Sequence, residues 1–162
     1  MDNDELYQLS VTLGERLKAK GAWFTCAESC TGGLIAKTVT DVAGSSAYFD
    51  RGFVTYSNEA KHELLRVSRS VLERYGAVSE QVVEEMASGA LGAAGADIAV
   101  AVSGIAGPDG GTPDKPVGTV WFGFADKEGR IFASCQRFPG SRREVRFRAA
   151  EFALRTIIDK FL

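Results

Sequence analysis

The chain has 162 residues, of which 45% are hydrophobic and 25% are charged, and its formal net charge is −2 at pH 7. This length favours one domain that buries roughly two thirds of its unfolded surface. No segment reaches the about 18 uninterrupted apolar residues of a membrane span, and the net charge gives no support to general nucleic-acid binding. The acidic start Met1–Glu5 lacks the basic and apolar regions of a secretory signal, so we expect a cytoplasmic protein.

The cysteine and histidine content limits the chemistry further. Three cysteines, Cys26, Cys30 and Cys135, suit a reducing compartment better than a disulfide framework, and we expect Cys26 and Cys135 to be small buried hydrophobic residues in strands. His62 is the only histidine, and no C-x-x-C pair occurs. A multi-histidine metal site is therefore excluded, and we expect no metal and no cofactor.

The first half of the chain alternates helices and strands. Leucines at positions 6, 9, 13 and 17 recur at helical spacing, and Gly21 ends that pattern. The next segments are predicted as a buried strand, a helix, a small-residue loop, a second strand and a short helix: Ala22–Cys26, Gly33–Val42, Ala43–Ser46, Gly52–Tyr56 and Asn58–Leu65.

The second half begins with a helix capped by Ser79, with its apolar residues on one face. Ile98–Val102 is short, apolar and β-branched, as a central strand should be, and it leads into a long turn-rich loop, Ser103–Pro116. The remaining predicted elements are a hairpin and a final helix: Val117–Ala125 with Arg130–Phe138, and a helix that begins near Ser141. The whole pattern predicts the α/β class, as a single three-layer α/β/α domain over residues 1–162 with a mixed β-sheet.

Ser29 lies at the most informative junction, where the first predicted strand meets a helix. The segment Ala27–Gly33 places a hydroxyl, a thiol and two glycines there. Free backbone N–H groups and the positive end of a helix dipole meet at such a corner, so it can hold a phosphate, or a nucleophile beside an oxyanion site. Serines before glycines are also common helix caps.

A serine nucleophile needs a base within hydrogen-bond reach. Lys61 can serve if burial lowers its pKa, and Tyr56, at the end of the second strand, could relay or polarise the proton. The alternative is a solvated lysine on a short helix. Cys30 is the rival nucleophile, because a thiol at a helix N-terminus can have a lowered pKa and His62 could be its partner.

Two further features could bind a substrate. The glycine-rich loop after Val102 matches neither a Walker A sequence nor a dinucleotide fingerprint, but loops at the carboxyl ends of strands often frame ligand crevices. Arg142, Arg143 and Arg146 fall in the first turns of the last predicted helix, where the dipole prefers acids. A bound anion would explain why three arginines stand at this helix start. Arg142 and Arg146 share one face of the helix, where both could contact such an anion. The alternative is that the arginines form surface ion pairs.

These places carry a family resemblance. The segments Ala27–Gly33, Gly52–Lys61, Val102–Gly111 and Lys115–Trp121 resemble the CinA C-terminal family, in the right order and over nearly the whole chain. Stand-alone members of that family are nicotinamide mononucleotide deamidases, described as serine–lysine amidohydrolases that need no metal. Larger members carry an additional N-terminal nucleotide-processing domain.

The resemblance implies roles for individual residues. Ser29 would be the nucleophile, Lys61 the base and Tyr56 an assisting group; Ser103, Gly104 and the following loop would contact the substrate, and Arg142 would bind its 5′-phosphate. From the helix-terminus argument we expect the oxyanion donors among the backbone N–H groups of Cys30, Thr31 and Gly32. The family often has acids where Ser141 and Arg143 stand here, which leaves the role of Arg143 open.

The sequence thus predicts an amidohydrolase that acts on nicotinamide mononucleotide in pyridine nucleotide salvage. We expect the protein to bind this small nucleotide and to bind neither nucleic acid nor a membrane. The resemblance is compatible with a homodimer. Two alternatives stay open at this point: a thiol amidase that uses Cys30 and His62, and a nucleotide-binding regulatory module without turnover.

Overall fold

The computed structural model describes residues 3–162. In this part of the chain six α-helices and five β-strands follow one another, with a 3-10 turn at Ser45–Ala47. The helices are α1 (Asn3–Lys20), α2 (Leu34–Thr40), α3 (Asn58–Leu65), α4 (Arg69–Tyr75), α5 (Glu80–Ala94) and α6 (Arg142–Phe161). The strands are β1 (Phe24–Glu28), β2 (Phe53–Val54), β3 (Ile98–Gly104), β4 (Thr119–Asp126) and β5 (Ile131–Arg137).

The strands form one mixed sheet in the order β2-β1-β3-β4-β5. β1 is parallel to both neighbours, with Ala27 opposite Phe53 and Ala101. β4 is antiparallel to β3 and β5. Helices α1, α2 and α6 contribute to a core on one face, while α3, α4 and α5 contribute to a second core on the other face. The predicted three-layer α/β/α fold with a mixed sheet is confirmed.

Local sequence explains why the helices begin where they do. The Ser79 hydroxyl accepts a hydrogen bond from Val82 N at the start of α5. Ser141 and Glu144 form a complete capping box at the start of α6, because Ser141 Oγ accepts from Glu144 N and Glu144 accepts from Ser141 N. Both caps satisfy N–H groups that a helix leaves unpaired at its first turn.

Several predicted boundaries differ from the structure. β1 begins two residues later than predicted and runs to Glu28, directly before Ser29. β2 keeps only two of its five predicted residues, and α4 was not predicted. Cys135 lies in a strand as expected but is exposed rather than buried, because β5 is an edge strand.

The described helices include none that is long and apolar enough to cross a lipid bilayer.

A close approach of α5 to the end of α3 gives a testable prediction. A Cβ added at Gly89 would lie 2.0 Å from the Leu65 carbonyl oxygen, whereas a Cβ at Gly92 on the same helix would meet nothing within 4 Å. We expect Gly89→Ala to destabilise the fold by about 2 kcal/mol or more, because backbone must shift, and Gly92→Ala to stabilise it by up to about 1 kcal/mol through helix propensity. Urea unfolding of both variants checks this; equal stability of the two would contradict the α3–α5 contact.

Candidate active site

The candidate site lies at one edge of the sheet, where the three parallel strands end. Ser29 follows β1, Gly104 ends β3, and Tyr56 comes two residues after β2. Because the carboxyl ends of parallel strands meet at the same edge, three segments that are far apart in sequence are brought together there. Crevices in open α/β sheets are found at such edges.

Ser29 is held in a tight turn between β1 and α2. Its backbone N–H donates to Val102 O on the neighbouring strand, and Gly32 N donates to Ser29 O at 3.1 Å. Gly32 and Gly33 have φ values of 58° and 106°, which side-chain-bearing residues rarely adopt. A Cβ at Gly32 would also lie 3.0 Å from Arg146 Nη2. The two glycines are therefore required by the geometry of the turn.

Glu28 is a site residue that the sequence reasoning missed. Its carboxylate is fully buried and accepts from Ile35 N at 2.9 Å, Ala36 N at 3.0 Å and Thr31 Oγ1 at 2.6 Å. It thereby caps α2, whose N-cap position is Gly33 and has no side chain to do so. The signal in the sequence was a carboxylate beside a buried strand, preceding a helix without a capping side chain.

This cap corrects one expectation about the corner. In the first turn of α2, Ile35 N and Ala36 N already bind the Glu28 carboxylate, and Leu34 N donates to Thr31 O. A substrate phosphate therefore does not bind to these N–H groups. Gly32 N–H is likewise engaged within the turn. The Thr31 side chain points to Glu28, which leaves the backbone N–H groups of Cys30 and Thr31 as the candidate oxyanion donors.

Ser29 and Lys61 are in direct contact. The Lys61 amino group lies 3.1 Å from Ser29 Oγ, and both side chains are buried, with Lys61 only 1% exposed. Lys61 Nζ also donates to the Thr55 and Tyr56 carbonyl oxygens at 3.0 and 3.1 Å. Ser57, the N-cap of α3, fixes the turn that carries these carbonyls. The solvated lysine considered above is therefore not what the fold contains.

The partners of Lys61 suit an amine that alternates between two protonation states. A neutral amine has two N–H donors, which the Thr55 and Tyr56 carbonyls accept, and its lone pair is then free to accept the Ser29 hydroxyl proton. When Lys61 is protonated, its third N–H donates to Ser29 Oγ. The Ser29 hydroxyl has an acceptor in that state too, because Tyr56 O lies 3.4 Å away.

Burial lowers the pKa of Lys61 from 10.5 to about 8, since a charged ammonium loses hydration inside the protein. The described part of the chain places no carboxylate in a salt bridge with it. An ion pair would favour the charged form and oppose the shift. A lysine with these surroundings is available as a base near neutral pH.

The thiol alternative has less support. Burial raises the pKa of Cys30 to about 11, although the Arg146 charge acts in the opposite direction. His62 Nδ1 bonds to Val67 O, and His62 lines a separate hollow with Glu59 and Arg69. The structure therefore does not bring Cys30 and His62 together. Cys26 is buried as expected, and its pKa is also raised, mainly by burial.

Seven of the nine candidate residues line one pocket of about 290 Å³, whereas Thr31 and Gly32 are not part of its lining. The lining includes Ser29, Cys30, Tyr56 and Lys61, together with Ser103, Gly104 and part of the loop that follows. Asn58, Ala77 and Val78 also line it and were not predicted; the last two belong to the link between α4 and α5, and no pattern in the sequence marked that link. The full lining is Ser29, Cys30, Tyr56, Asn58, Lys61, Ala77, Val78, Ser103, Gly104, Ile105, Ala106, Gly107, Asp109, Gly110 and Arg142.

Arg142 lies at the rim of this pocket. Its guanidinium donates to Gly107 O at 2.8 Å and to the Tyr56 hydroxyl at 3.2 Å, which joins three segments of the chain. Tyr56 is 62% exposed, and its phenol bonds to Arg142 rather than to Ser29 or Lys61. Only the backbone carbonyl of Tyr56 contacts those two residues.

The other two arginines differ from Arg142. Arg143 is exposed. Arg146 does not line the pocket and donates to Thr31 O at 3.2 Å. Its Nε is buried and has no hydrogen-bond partner among the described residues. Arg146 therefore supports the turn that carries Ser29, and Arg142 is the arginine of the three that lines the pocket.

Residues 3–162 contain no group of three or more histidine, cysteine, aspartate or glutamate side chains placed to hold a metal ion.

The lowered pKa of Lys61 predicts how stability depends on pH. Between about pH 8 and 10.5 the unfolded chain binds a proton at Lys61 that the folded protein does not, so stability rises with pH across this window. Relative to Lys61→Met, we expect the wild-type free energy of unfolding to rise by up to about 3 kcal/mol from pH 8 to 10.5. Urea unfolding across that range measures it, with Lys160→Met, at an exposed position, as control. A constant difference between wild type and Lys61→Met would argue against a shifted pKa.

Comparisons with known proteins identify the family of this chain. The sequence profile of the CinA C-terminal domain matches residues 6–161. The chain is 68% identical over 162 residues to "Nicotinamide-nucleotide amidohydrolase PncC" of Enterobacter agglomerans, covering 100% of this chain and 99% of that protein. It is 57% identical to the protein of the same name from Escherichia coli K12, covering 100% and 98%.

Solved structures show the same fold. The crystal structure of a competence damage-inducible protein A from Klebsiella pneumoniae matches with a TM-score of 0.93 and 42% identity, over 96% of each chain. A competence/damage inducible protein from Agrobacterium tumefaciens matches equally well, with a TM-score of 0.93 and 42% identity over 95% of this chain and 94% of that one. On the profile match and these identities, the chain belongs to the CinA C-terminal domain family.

Proposed function

We propose that this protein hydrolyses the carboxamide of nicotinamide mononucleotide, giving nicotinate mononucleotide and ammonia. The names of relatives at 68% and 57% identity support the substrate and the reaction. The observation that carries the mechanism is the 3.1 Å contact between the buried Lys61 amine and Ser29 Oγ. In this proposal the enzyme works in pyridine nucleotide (NAD) salvage in the cytoplasm.

The reaction begins with neutral Lys61 as general base. It takes the Ser29 hydroxyl proton while Oγ forms a bond to the carboxamide carbon. The resulting tetrahedral intermediate carries a negative oxygen, which the N–H groups of Cys30 and Thr31 stabilise. Splitting amide hydrolysis into acylation and deacylation replaces one difficult step by two easier ones.

Collapse of the intermediate breaks the carbon–nitrogen bond. The Lys61 ammonium returns its proton to the leaving nitrogen, which departs as ammonia, and an ester remains on Ser29. Lys61 is then neutral again and takes a proton from a water molecule that attacks this ester. The bond between the acyl carbon and Ser29 Oγ then breaks, and Oγ recovers its proton from Lys61. The carboxylic acid product loses its proton to water and leaves as the carboxylate.

Arg142 orients the substrate in this proposal. Two of its five N–H donors are used for Gly107 O and the Tyr56 hydroxyl, so three remain for the 5′-phosphate. A phosphate bound at the rim directs the ring and its amide inward toward Ser29, which contributes proximity. The relay role of the Tyr56 hydroxyl stays a prediction, since this hydroxyl contacts Arg142. The homodimer also stays a prediction.

The direct test is ammonia release from nicotinamide mononucleotide by the purified protein. We expect kcat/KM to rise with pH and level off above about pH 8, because neutral Lys61 is the base. Ser29→Ala and Lys61→Met should lower kcat by about 10³-fold or more, judged by typical losses when a nucleophile–base pair is removed. Cys30→Ala is the matched control beside Ser29 and should retain turnover.

Each alternative predicts a different outcome. Loss of turnover in Cys30→Ala but not in Lys61→Met would favour the thiol amidase. A regulatory module would show a raised melting temperature with nucleotide but no ammonia at any enzyme concentration. Full activity of Ser29→Ala would eliminate Ser29 as the nucleophile.

The phosphate role of Arg142 can be tested with a neighbouring control. We expect Arg142→Ala to raise KM for the nucleotide about tenfold or more, since charge-assisted bonds to phosphate are lost, and to change kcat/KM for the phosphate-free nucleoside much less. Arg143→Ala, at the adjacent exposed position, should leave both values close to wild type. Steady-state kinetics with both compounds measure this, and an equal loss for nucleotide and nucleoside would refute the phosphate contact.

A further inference from the structure

The charged residues that line the pocket are Lys61, Arg142 and Asp109. Lys61 is at the buried end and is fully engaged with carbonyls and Ser29. Arg142 is anchored to Gly107 O and to Tyr56. Asp109 is exposed, and within residues 3–162 it has no hydrogen-bond or ion-pair partner. It is therefore the single carboxylate of the lining, and it is unpaired.

The fold keeps Asp109 and Arg142 apart although they share one rim. Arg142 binds the carbonyl of Gly107, two residues before Asp109, yet no ion pair joins the two side chains in the described structure. Two opposite charges held separately on one pocket are complementary to a ligand that carries both charges at separate places. A ligand with only a phosphate would be repelled by Asp109.

The loop that carries Asp109 is held in place. Ile105 N donates to Thr119 O, and Gly118 N donates to Ile105 O at 2.7 Å, so both ends of the loop are tied to each other and to β4. Farther along, a Cβ at Gly111 would lie 2.8 Å from Val117 N, which shows how closely the loop packs on itself. The loop backbone on either side of Asp109 is thus held by the fold.

We propose that Asp109 is a specificity-determining residue that selects nucleotides with a positively charged ring. This inference rests on the proposed function and deepens it. With the phosphate on Arg142 and the carboxamide at Ser29, the ring lies between them, and the Asp109 carboxylate stabilises its positive charge. Asp109 would not strengthen the binding of a nucleotide whose ring has the same shape but no charge. The contact favours binding and takes no part in proton transfer.

The test compares two carboxamide nucleotides by calorimetry. One is nicotinamide mononucleotide, and the other is its neutral isostere, in which carbon replaces the ring nitrogen. Binding is measured in the Ser29→Ala background, which does not consume the ligand, with and without Asp109→Asn. Asp114→Asn is the matched control, because Asp114 lies on the same loop, is exposed, and does not line the pocket.

We expect Asp109→Asn to weaken the cationic nucleotide about tenfold and the neutral one less than twofold, with a smaller effect at high salt because exposed charges are screened. Asp114→Asn should change neither. An equal loss for both nucleotides, or no loss for the cationic one, overturns the proposal. If Asp109→Asn discriminates as expected but the protein with Ser29 intact releases no ammonia, the proposed hydrolysis fails while the selection of a cationic ring stands. If the cationic nucleotide does not bind at all, both proposals fail.

Discussion

The burial of the Lys61 amine without a carboxylate is the constraint around which the site is arranged. An ammonium removed from water must be neutralised or given compensating hydrogen bonds. Here backbone carbonyls at Thr55 and Tyr56 supply acceptors, and they do so because the chain leaves β2 after two residues and turns into α3. A longer β2 would have paired one of these two successive carbonyls with β1, the only neighbour of this edge strand in the described sheet. The early end of this strand leaves both carbonyls available to Lys61.

A second consequence concerns the opposite side of the turn. Glu28 caps α2 from the end of β1 and closes the helix terminus that an anion could otherwise occupy. Under the proposed function, the phosphate therefore binds Arg142 at the rim, and the turn at Ser29 receives the reacting amide.

Much of this fold could be predicted from residue patterns. Asn58–Leu65 was predicted with the bounds that α3 has, and Ser79 and Ser141 were identified as helix starts because short hydroxyl side chains favour N-caps. The end of β1 was placed too early, since a charged Glu28 does not look like a buried strand residue. Its burial depends on donors from α2, which are tertiary contacts that local patterns do not contain.

In the candidate site, too, local sequence predicted some residues, whereas others depend on tertiary packing. Ser29, Lys61 and Arg142 were identified from motifs and resemblance, and the fold brings all three to one pocket. Asn58, Ala77 and Val78 were missed because nothing in their local sequence marks them; only the packing of α4 and α5 against the sheet edge puts the last two there. The capping of α2 could not be predicted from local sequence either, because the capping side chain, Glu28, comes from the preceding strand.

One physical effect, desolvation, decides between the two nucleophiles that stand side by side. It disfavours whichever form carries a charge, so it lowers the pKa of Lys61 to about 8 and raises that of Cys30 to about 11. At pH 7 the first shift enriches the neutral amine about 300-fold over a lysine with pKa 10.5, while the second makes thiolate about 100-fold scarcer than at pKa 9. An alcohol is used as a neutral nucleophile whose proton leaves during attack, so it needs the base and does not need to be charged beforehand. A buried neutral amine therefore suits the proposed role of Ser29, whereas the same burial disfavours the thiolate of Cys30.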